Sequence, residues 1–385
     1  MKKWKEVRLQ DLVYFQRGFD ITKDKQELGD VPVISSSGVT SYHNKYMADG
    51  PGVIMGRKGS LGTIYFSKEN YWPHDTTLWS KDFKGNDPKY AYYFLHTFDF
   101  KNFNVGGANP TLNRNHIHDL RIPLPPLPTQ QRIAAILSAY DDLIENNRRR
   151  ITLLEDSARL LYKEWFVKFK FPGHEKVKVK NGLPEGWERR KIGDIGEVTS
   201  SKRIFLSEYV EKGIPFYRSK EIIQKYKNEN IDEVLYISES KFKEIKNKFG
   251  SPKAGDILVT SVGTIGYSYL VSDKDEDFYF KDGNLTWIRN IKFKEVIPYI
   301  SSTFKSDTFM KFLNSVALGS SQKALTIVTL KNVEVIIPDK KILIMFNEQV
   351  TDILNQIKTL THQTQKLREA RNILLPKLMN GTIEI

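Results

Sequence analysis

The sequence predicts an α+β chain: two mixed α/β domains joined by two long antiparallel coiled-coil helices, the halves related as a pseudo-two-fold internal repeat. Three observations carry this. Trp4-Lys5-Glu6-Val7-Arg8-Leu9-Gln10-Asp11-Leu12 returns as Trp187-Glu188-Arg189-Arg190-Lys191-Ile192-Gly193-Asp194-Ile195. Each copy then passes through short β-prone runs broken by turn residues. Each ends in one long stretch whose apolar residues recur at heptad spacing.

The repeat persists along the whole chain. Val31-Pro32-Val33 matches Ile214-Pro215-Phe216, Gly59-x-x-Gly62 matches Gly263-x-x-Gly266, Trp79 matches Trp287, Leu112 matches Leu325 and Leu154 matches Leu367. The offset grows from 183 to 213 residues, so the second copy carries extra globular sequence. A period near half the chain means a duplicated domain-plus-helix rather than a many-repeat solenoid.

In chain order, residues 1–128 form the first domain. Val53-Ile54-Met55 and Thr63-Ile64-Tyr65-Phe66 flank the turn Gly56-Arg57-Lys58-Gly59-Ser60-Leu61-Gly62, which reads as a hairpin. The prolines of Leu120-Arg121-Ile122-Pro123-Leu124-Pro125-Pro126-Leu127-Pro128 end the domain, and Thr129 is an N-cap for a helix over residues 129–170. Its seam is Leu137, Tyr140, Ile144, Ile151, Leu154 and Leu161. Residues 171–338 repeat the domain, with the hairpin at Asp256-Ile257-Leu258-Val259 and Tyr267-Ser268-Tyr269-Leu270. Residues 339–385 repeat the helix, with the seam Val350, Ile353, Ile357, Leu360, Leu367 and Leu374. The first helix must run toward the second domain and the second away from it, so the two seams meet antiparallel. At about 1.5 Å per residue a helix of roughly 39 residues spans about 58 Å, a ruler between the domains. Asn147, Thr364 and Arg371 interrupt the seam, either to set register or to contact other helices.

Net charge of +13 favours a polyanionic partner, and the charge alone fits DNA, RNA or an anionic membrane surface. The absence of cysteine excludes disulfides, thiolate zinc sites and a cysteine nucleophile, and suits the cytoplasm. No apolar run is long enough to span a bilayer, so no membrane partner is expected. Reactive groups are scarce. His116-x-His118 lacks acidic companions, and His74-Asp75 is a dyad without a nucleophile, so no catalytic residue and no metal ligand is assigned.

What remains is a set of polar loops that differ between the copies on a shared scaffold. The glycine pairs serve tight turns, close approach to phosphate, or both. Arg57-Lys58 becomes Ser261-Val262; Ser35-Ser36-Ser37-Gly38 stands against Arg218-Ser219-Lys220; and Asn109-Pro110-Thr111-Leu112-Asn113-Arg114 stands against Gln322-Lys323-Ala324-Leu325-Thr326. These side-chain types reach base edges and phosphates. The DNA-contact candidates are therefore Ser35, Ser36, Ser37, Arg57, Lys58, Asn109, Thr111, Asn113 and Arg114 in the first copy, and Arg218, Ser219, Lys220, Ser261, Gln322 and Lys323 in the second. Arg148-Arg149-Arg150 is read as a solvated helix face.

Several segments together resemble the specificity (S) subunit of type I restriction-modification systems. They are the Gly56–Gly62 turn, Ile122-Pro123-Leu124-Pro125-Pro126-Leu127 with Gln131 and Ile133-Ala134-x-Ile136-Leu137, Leu161-Tyr162-Lys163-Glu164-Trp165-Phe166 through Phe171-Pro172-Gly173-His174-Glu175, Leu183-Pro184-Glu185-Gly186-Trp187, and Leu374-Leu375-Pro376-Lys377-Leu378-Met379-x-Gly381. The resemblance covers essentially the whole chain. It implies two target recognition domains, each reading one half of a bipartite asymmetric site in double-stranded DNA, and helices that set the gap and dock two methyltransferase (modification) subunits. It also implies a chain with no active site and no cofactor of its own. S-adenosylmethionine, ATP and Mg are then used by the methyltransferase and the restriction/translocase subunits. After Pro338 the second copy departs from the pattern, with Asp339-Lys340-Lys341 in place of the double proline. The other readings are a self-sufficient methyltransferase or nuclease, a coiled-coil adaptor without a nucleic-acid role, and a stand-alone DNA-binding protein; the divergent basic loops argue against the adaptor.

The ruler has a direct test. Inserting one heptad after Asn147 and one near Leu360 is expected to lengthen the spacer of the methylated motif while leaving both half-sites unchanged. An unchanged spacing in methylome sequencing overturns it.

Overall fold

Each tryptophan-led segment becomes a short strand that pairs with the last strand of its own module, so each domain is closed by its two sequence ends. The computed structural model describes residues 4–103, 111–227, 229, 231, 233–319 and 323–385. The chain divides into two compact units, Met1–Asn146 with Thr364–Ile385, and Asn147–Gln363.

In the first unit the order is β1 (Lys5–Arg8), α1 (Leu9–Leu12), β2 (Tyr14–Arg17), β3 (Val31–Ser35), β4 (Gly38–His43), β5 (Gly52–Gly56), β6 (Ile64–Ser67), β7 (Trp72–Pro73), β8 (Thr77–Asp82), α2 (Pro88–Leu95), α3 (Arg114–His118), β9 (Arg121–Leu124) and the start of α4 (Leu127–Tyr162). One sheet runs β2-β8-β5-β6, a second β4-β3-β7, and β1 pairs with β9. β5 is apolar throughout and is buried at every position, as a central strand covered on both faces must be. The expected hairpin is present, with Val53 opposite Phe66 and Met55 opposite Ile64.

The second unit repeats the plan. After β10 (Val179–Lys180) and β11 (Leu183–Pro184) come β12 (Glu188–Lys191), α5 (Ile192–Ile195), β13 (Glu197–Thr199), β14 (Tyr209–Val210), β15 (Ile214–Tyr217), α6 (Ser219–Tyr226), β16 (Leu235–Ile237) and α7 (Glu239–Phe249). Then follow β17 (Ile257–Thr260), β18 (Ser268–Leu270), β19 (Tyr279–Phe280), β20 (Leu285–Arg289), α8 (Ile297–Lys305), α9 (Asp307–Val316), α10 (Ile327–Asn332), β21 (Glu334–Ile337) and α11 (Lys340–Met379). The sheet β13-β20-β17-β18 reproduces β2-β8-β5-β6, and β12 pairs with β21 as β1 does with β9. The parallel pair β3·β7 recurs as β15·β19. Most of the extra length is helical: α6 and α7 flank β16 where the first unit has only turns.

Within each unit the long helices lie antiparallel. In the first, Ile133, Ala134 and Leu137 of α4 join Leu378 and Met379 of α11 in one core, and Asp141 pairs with Arg371. In the second, Ile151 and Leu154 pack with Ile353, Ile357 and Leu360, while Trp165 and Phe166 meet Phe346 at 6.0 and 4.8 Å between ring centroids. Of the seam residues, Leu137, Ile144, Ile151, Val350, Ile357 and Leu360 are buried, and Tyr140, Leu154, Leu161, Ile353, Leu367 and Leu374 are half-buried. Asn147 and Thr364 are buried polar positions, and each stands where its helix passes from one unit to the other. Arg371 does not interrupt the seam as a gap, because Asp141 neutralises it.

The start of α4 differs from expectation. Helix begins at Leu127 rather than after Thr129, with Pro128 in its first turn, where the missing N–H costs nothing. At the other end a π turn over Lys163–Val167 prolongs the helix and turns Trp165 and Phe166 into the core.

Ile357 sits in the seam with 7% exposure, so Ile357→Ala is expected to cost about 2–5 kcal/mol. The measurement is the shift in urea midpoint at unchanged m-value.

Candidate nucleic-acid interface

The Gly56–Gly62 turn is shaped by close approach. Gly59 and Gly62 have φ of 75° and 68°, and a Cβ on Gly56 would lie 2.1 Å from the Ser60 carbonyl oxygen. Gly263 and Gly266 repeat the positive φ at 74° and 92°. In both units the turn closes the same way: Gly62 N–H donates to the Gly56 carbonyl at 3.0 Å, and Gly266 N–H to Thr260 at 3.0 Å.

The turn is then anchored by main-chain bonds that both units share. Arg57 and Lys58 N–H donate to the Thr76 carbonyl at 2.8 and 3.1 Å, and Leu112 N–H donates to Arg57 at 2.9 Å. The second unit copies this, with Ser261 N–H donating to Asn284 at 2.9 Å and Leu325 N–H to Ser261 at 2.7 Å. The β3–β4 tip joins in the first unit, where Thr63 Oγ1 donates to the Ser36 carbonyl at 2.7 Å and Ser36 N–H to Thr76 Oγ1 at 3.3 Å. Hence Ser35–Ser37, Arg57–Lys58 and Thr111, which are far apart in sequence, meet at one end of the domain.

Their side chains divide. Lys58 and Ser37 are exposed, and Arg57, Thr111 and Arg114 are half-buried. Ser35 and Ser36 are each only 9% exposed and hold the tip rather than face outward. Asn113 is exposed, and its side chain accepts from Asn115 N–H at 3.0 Å, capping α3. Asn109 and Gln322 lie outside the described residues.

Sequence reasoning missed Arg17 and the full role of His74-Asp75-Thr76. Arg17, at the end of β2, pairs with Asp75 at 2.9 Å, and Arg57 Nη1 donates to the Asp75 carbonyl at 3.4 Å. Burial and the neighbouring Arg17 hold the Arg57 guanidinium below its ordinary pKa, with Asp75 opposing. Asp20, His74 and Asp75 place ligand atoms within 4.8 Å of one another. Two guanidinium groups beside Asp75 disfavour a cation there, and Asp75 serves the arginines. No local motif signals Arg17, since only the pairing of β2 with β8 brings it there.

The second unit corrects two expectations. Ser261 is 3% exposed, and its hydroxyl bonds Val259 and Thr286 at 3.0 and 2.5 Å, so it is a structural residue. Arg218 is committed inward: it donates to the fully buried Glu221 at 2.6 and 3.2 Å. Burial pushes the Glu221 carboxyl up, and the bonds from Arg218 more than reverse this, leaving it below the usual glutamate value. Lys220 and Lys323 are exposed, and Ser219 donates to the Asn284 carbonyl at 3.3 Å beside the turn. Arg203 binds Asp282 at 3.0 Å on the same β19–β20 connection, much as Arg17 binds Asp75.

The description "Type I restriction modification DNA specificity domain" matches residues 1–156 and 184–371. The chain belongs to this family. It is similar to the type I restriction enzyme MjaIX specificity subunit of Methanocaldococcus jannaschii, at 25% identity over 93% of this chain and 88% of that one. The MjaVIII specificity subunit of the same organism is 23% identical over 99% and 93%. Among solved structures, the S subunit from M. genitalium shares the fold with a TM-score of 0.64 at 17% identity, covering 98% of this chain and 96% of that one. The match in two segments, one per repeat, coincides with the duplicated scaffold. Among the described residues no helix is long and apolar enough to cross a membrane.

The Arg218–Glu221 pair yields a stability prediction specific to this specificity-family member. Arg218→Ala leaves the buried carboxylate bonded to backbone N–H only and is expected to cost about 1–3 kcal/mol, and adding Glu221→Gln recovers most of it. Because the folded-state pKa of Glu221 is lowered, the wild-type pair stabilises above the unfolded value of about 4.3 and is lost as pH falls through the folded one. Urea titrations of the three proteins at pH 7 and pH 4 measure both.

Proposed function

We propose that this chain is the sequence-reading subunit of a type I restriction-modification complex, and that each unit reads one half of a bipartite, asymmetric site in double-stranded DNA. The observation that carries the reading is the main-chain anchoring of the turn. Bonds from Arg57 to Thr76 and from Ser261 to Asn284 are the same, while the half-buried Arg57 and the exposed Lys58 give way to the buried Ser261 and the half-buried Val262. A scaffold conserved in backbone and exchanged in side chains is what two readers of unlike half-sites need. In the first unit Lys58, Arg57, Arg114 and Ser37 are the contacts we assign; in the second they are Lys220, Lys323 and Ser219. The net charge of +13 supplies the sequence-independent attraction to phosphate.

Residues 1–128 and 171–338 act as target recognition domains, and the helices between and after them as spacer and docking elements. Leu153 and Leu160, seven residues apart on α4, are 66% and 58% exposed, and Ile373 of α11, which the repeat matches to Leu160, is 58% exposed. These outward apolar residues support docking of partner helices. Two methyltransferase subunits, one for each copy of the helix, follow from the duplication. Methyl transfer from S-adenosylmethionine belongs to them, and ATP- and Mg-dependent translocation and cleavage to the restriction subunits. The chain contributes recognition in the cytoplasm and no chemistry of its own.

Replacing residues 1–125 by the equivalent domain of a relative is expected to change one half of the methylated motif and leave the other intact. A change in both halves overturns independent reading. Lys58→Ala is expected to weaken DNA binding and to lower the salt slope of log K by about 1 if Lys58 contacts phosphate. Native mass measurement of the co-expressed complex tests the stoichiometry, and methyl transfer by the isolated chain contradicts the assignment.

A further inference from the structure

The repeat fills one position in the first unit and empties it in the second. In the first unit, where α4 and α11 meet α2, Arg371 donates to Asp141 at 2.5 Å, and Tyr93 of α2 donates to the other Asp141 oxygen at 2.5 Å. The helix offset of 213 carries Asp141 to Leu354, and relates Arg371 to Ala158. Neither replacement can pair. Helix α8 takes the place of α2 and presents Ser301, Ser302 and Lys305. The result is a cavity of about 320 Å³ lined by these three with Ala158, Leu354 and the carboxylate residues Glu155 and Glu229 among others.

Lys305 is a cation without a direct ion pair among the described residues. Its ammonium lies 5.6 Å from the centre of the Tyr226 ring, and no described residue gives it a hydrogen bond or ion pair. Burial lowers its pKa, and the Glu155 carboxylate acts against that without cancelling it. Lys305, Arg159 and Lys227 stand against the carboxylates of Glu155 and Glu229 in the lining, so the cavity keeps one net positive charge beside its carbon wall and gains from an anion that brings its own apolar body.

We propose that this cavity binds a small organic anion, a carboxylate or phosphate monoester on a compact apolar body. The anion meets Lys305 with the Ser301 hydroxyl, and the body lies against Ala158, Leu354 and Ile357. The ligand does for the second unit what Arg371 and Asp141 do for the first, bracing the helix pair against the domain. This inference stands on the repeat and the cavity and is independent of DNA reading.

The test uses the full-length chain at constant ionic strength, with phenyl phosphate, benzoate, inorganic phosphate and benzyl alcohol as probes. Phenyl phosphate or benzoate is expected to raise the melting temperature by about 2 °C or more near ten times its Kd. Benzyl alcohol is expected to do nothing, and inorganic phosphate alone to do less. Lys305→Met should lose the response. The double substitution Ala158→Arg with Leu354→Asp, which grafts the first unit's pair into the cavity, should abolish it while keeping the chain folded. An equal shift in Lys305→Met, an equal shift with benzyl alcohol, or no shift with either aromatic anion at about 10 mM overturns the proposal. The stronger of phenyl phosphate and benzoate identifies the anionic group.

Discussion

The main-chain bond from the residue after β5 or β17 to the β7–β8 or β19–β20 connection is the constraint on which the candidate interface rests. Arg57 N–H reaches Thr76 in one unit, and Ser261 N–H reaches Asn284 in the other. Because donor and acceptor are both backbone, the anchor is indifferent to the side chains it carries. A buried backbone group left unpaired is costly, so the anchor persists while the exposed positions change. Segments far apart in sequence are thereby held at one end of each domain. A salt-bridge anchor could not allow this, since each exchange of a charged residue would dismantle it. Where charge is used structurally, as between Arg218 and the buried Glu221, the arginine is held by its partner while 34% of its side chain stays exposed.

The long helices solve a different problem. Each is too long for a single domain and has its ends in different cores: α4 begins against Ile122 and Leu378 in the first unit and ends against Trp187 and Phe346 in the second. Apolar residues at the ends of α4 and α11 thus do double duty as seam and domain core. Polar positions fall where that duty lapses. Asn147 and Thr364, both buried, mark the passage between units, and a buried polar group in an apolar seam sets register at some cost in stability.

The repeat, the heptads and the β5–β6 turn were legible in the sequence because each is a local or periodic pattern. Contacts made only by tertiary pairing were not. Arg17 ends an ordinary strand, and nothing near it in sequence indicates that the pairing of β2 with β8 brings Asp75 within 2.9 Å. Ser261 reads as a polar loop residue until the strand pairing of β17 with β20 places Thr286 over it. Arg218 reads as a surface cation because its partner, Glu221, is an acidic residue in the first turn of a helix, a position that is usually solvated. The seam was easier, since burial there follows from spacing alone.

Duplication also explains why the two units are not equivalent in their coupling to the helices. Asp141, Arg371 and the buried Tyr93 tie the first domain to the helix pair through directional bonds, with the Asp141 and Arg371 side chains each 30% exposed, so the tie is firm and partly screened. The second domain instead merges with the helices through aromatic packing, where Phe166 touches Tyr299, Trp187 and Phe346 at 4.7, 5.8 and 4.8 Å. Packing of this kind is strong and tolerant of small rotations, whereas an ion pair with a tyrosine hydroxyl tolerates little. Two copies of one module therefore hold their shared helices by unlike forces, and salt screens the first joint more than the second.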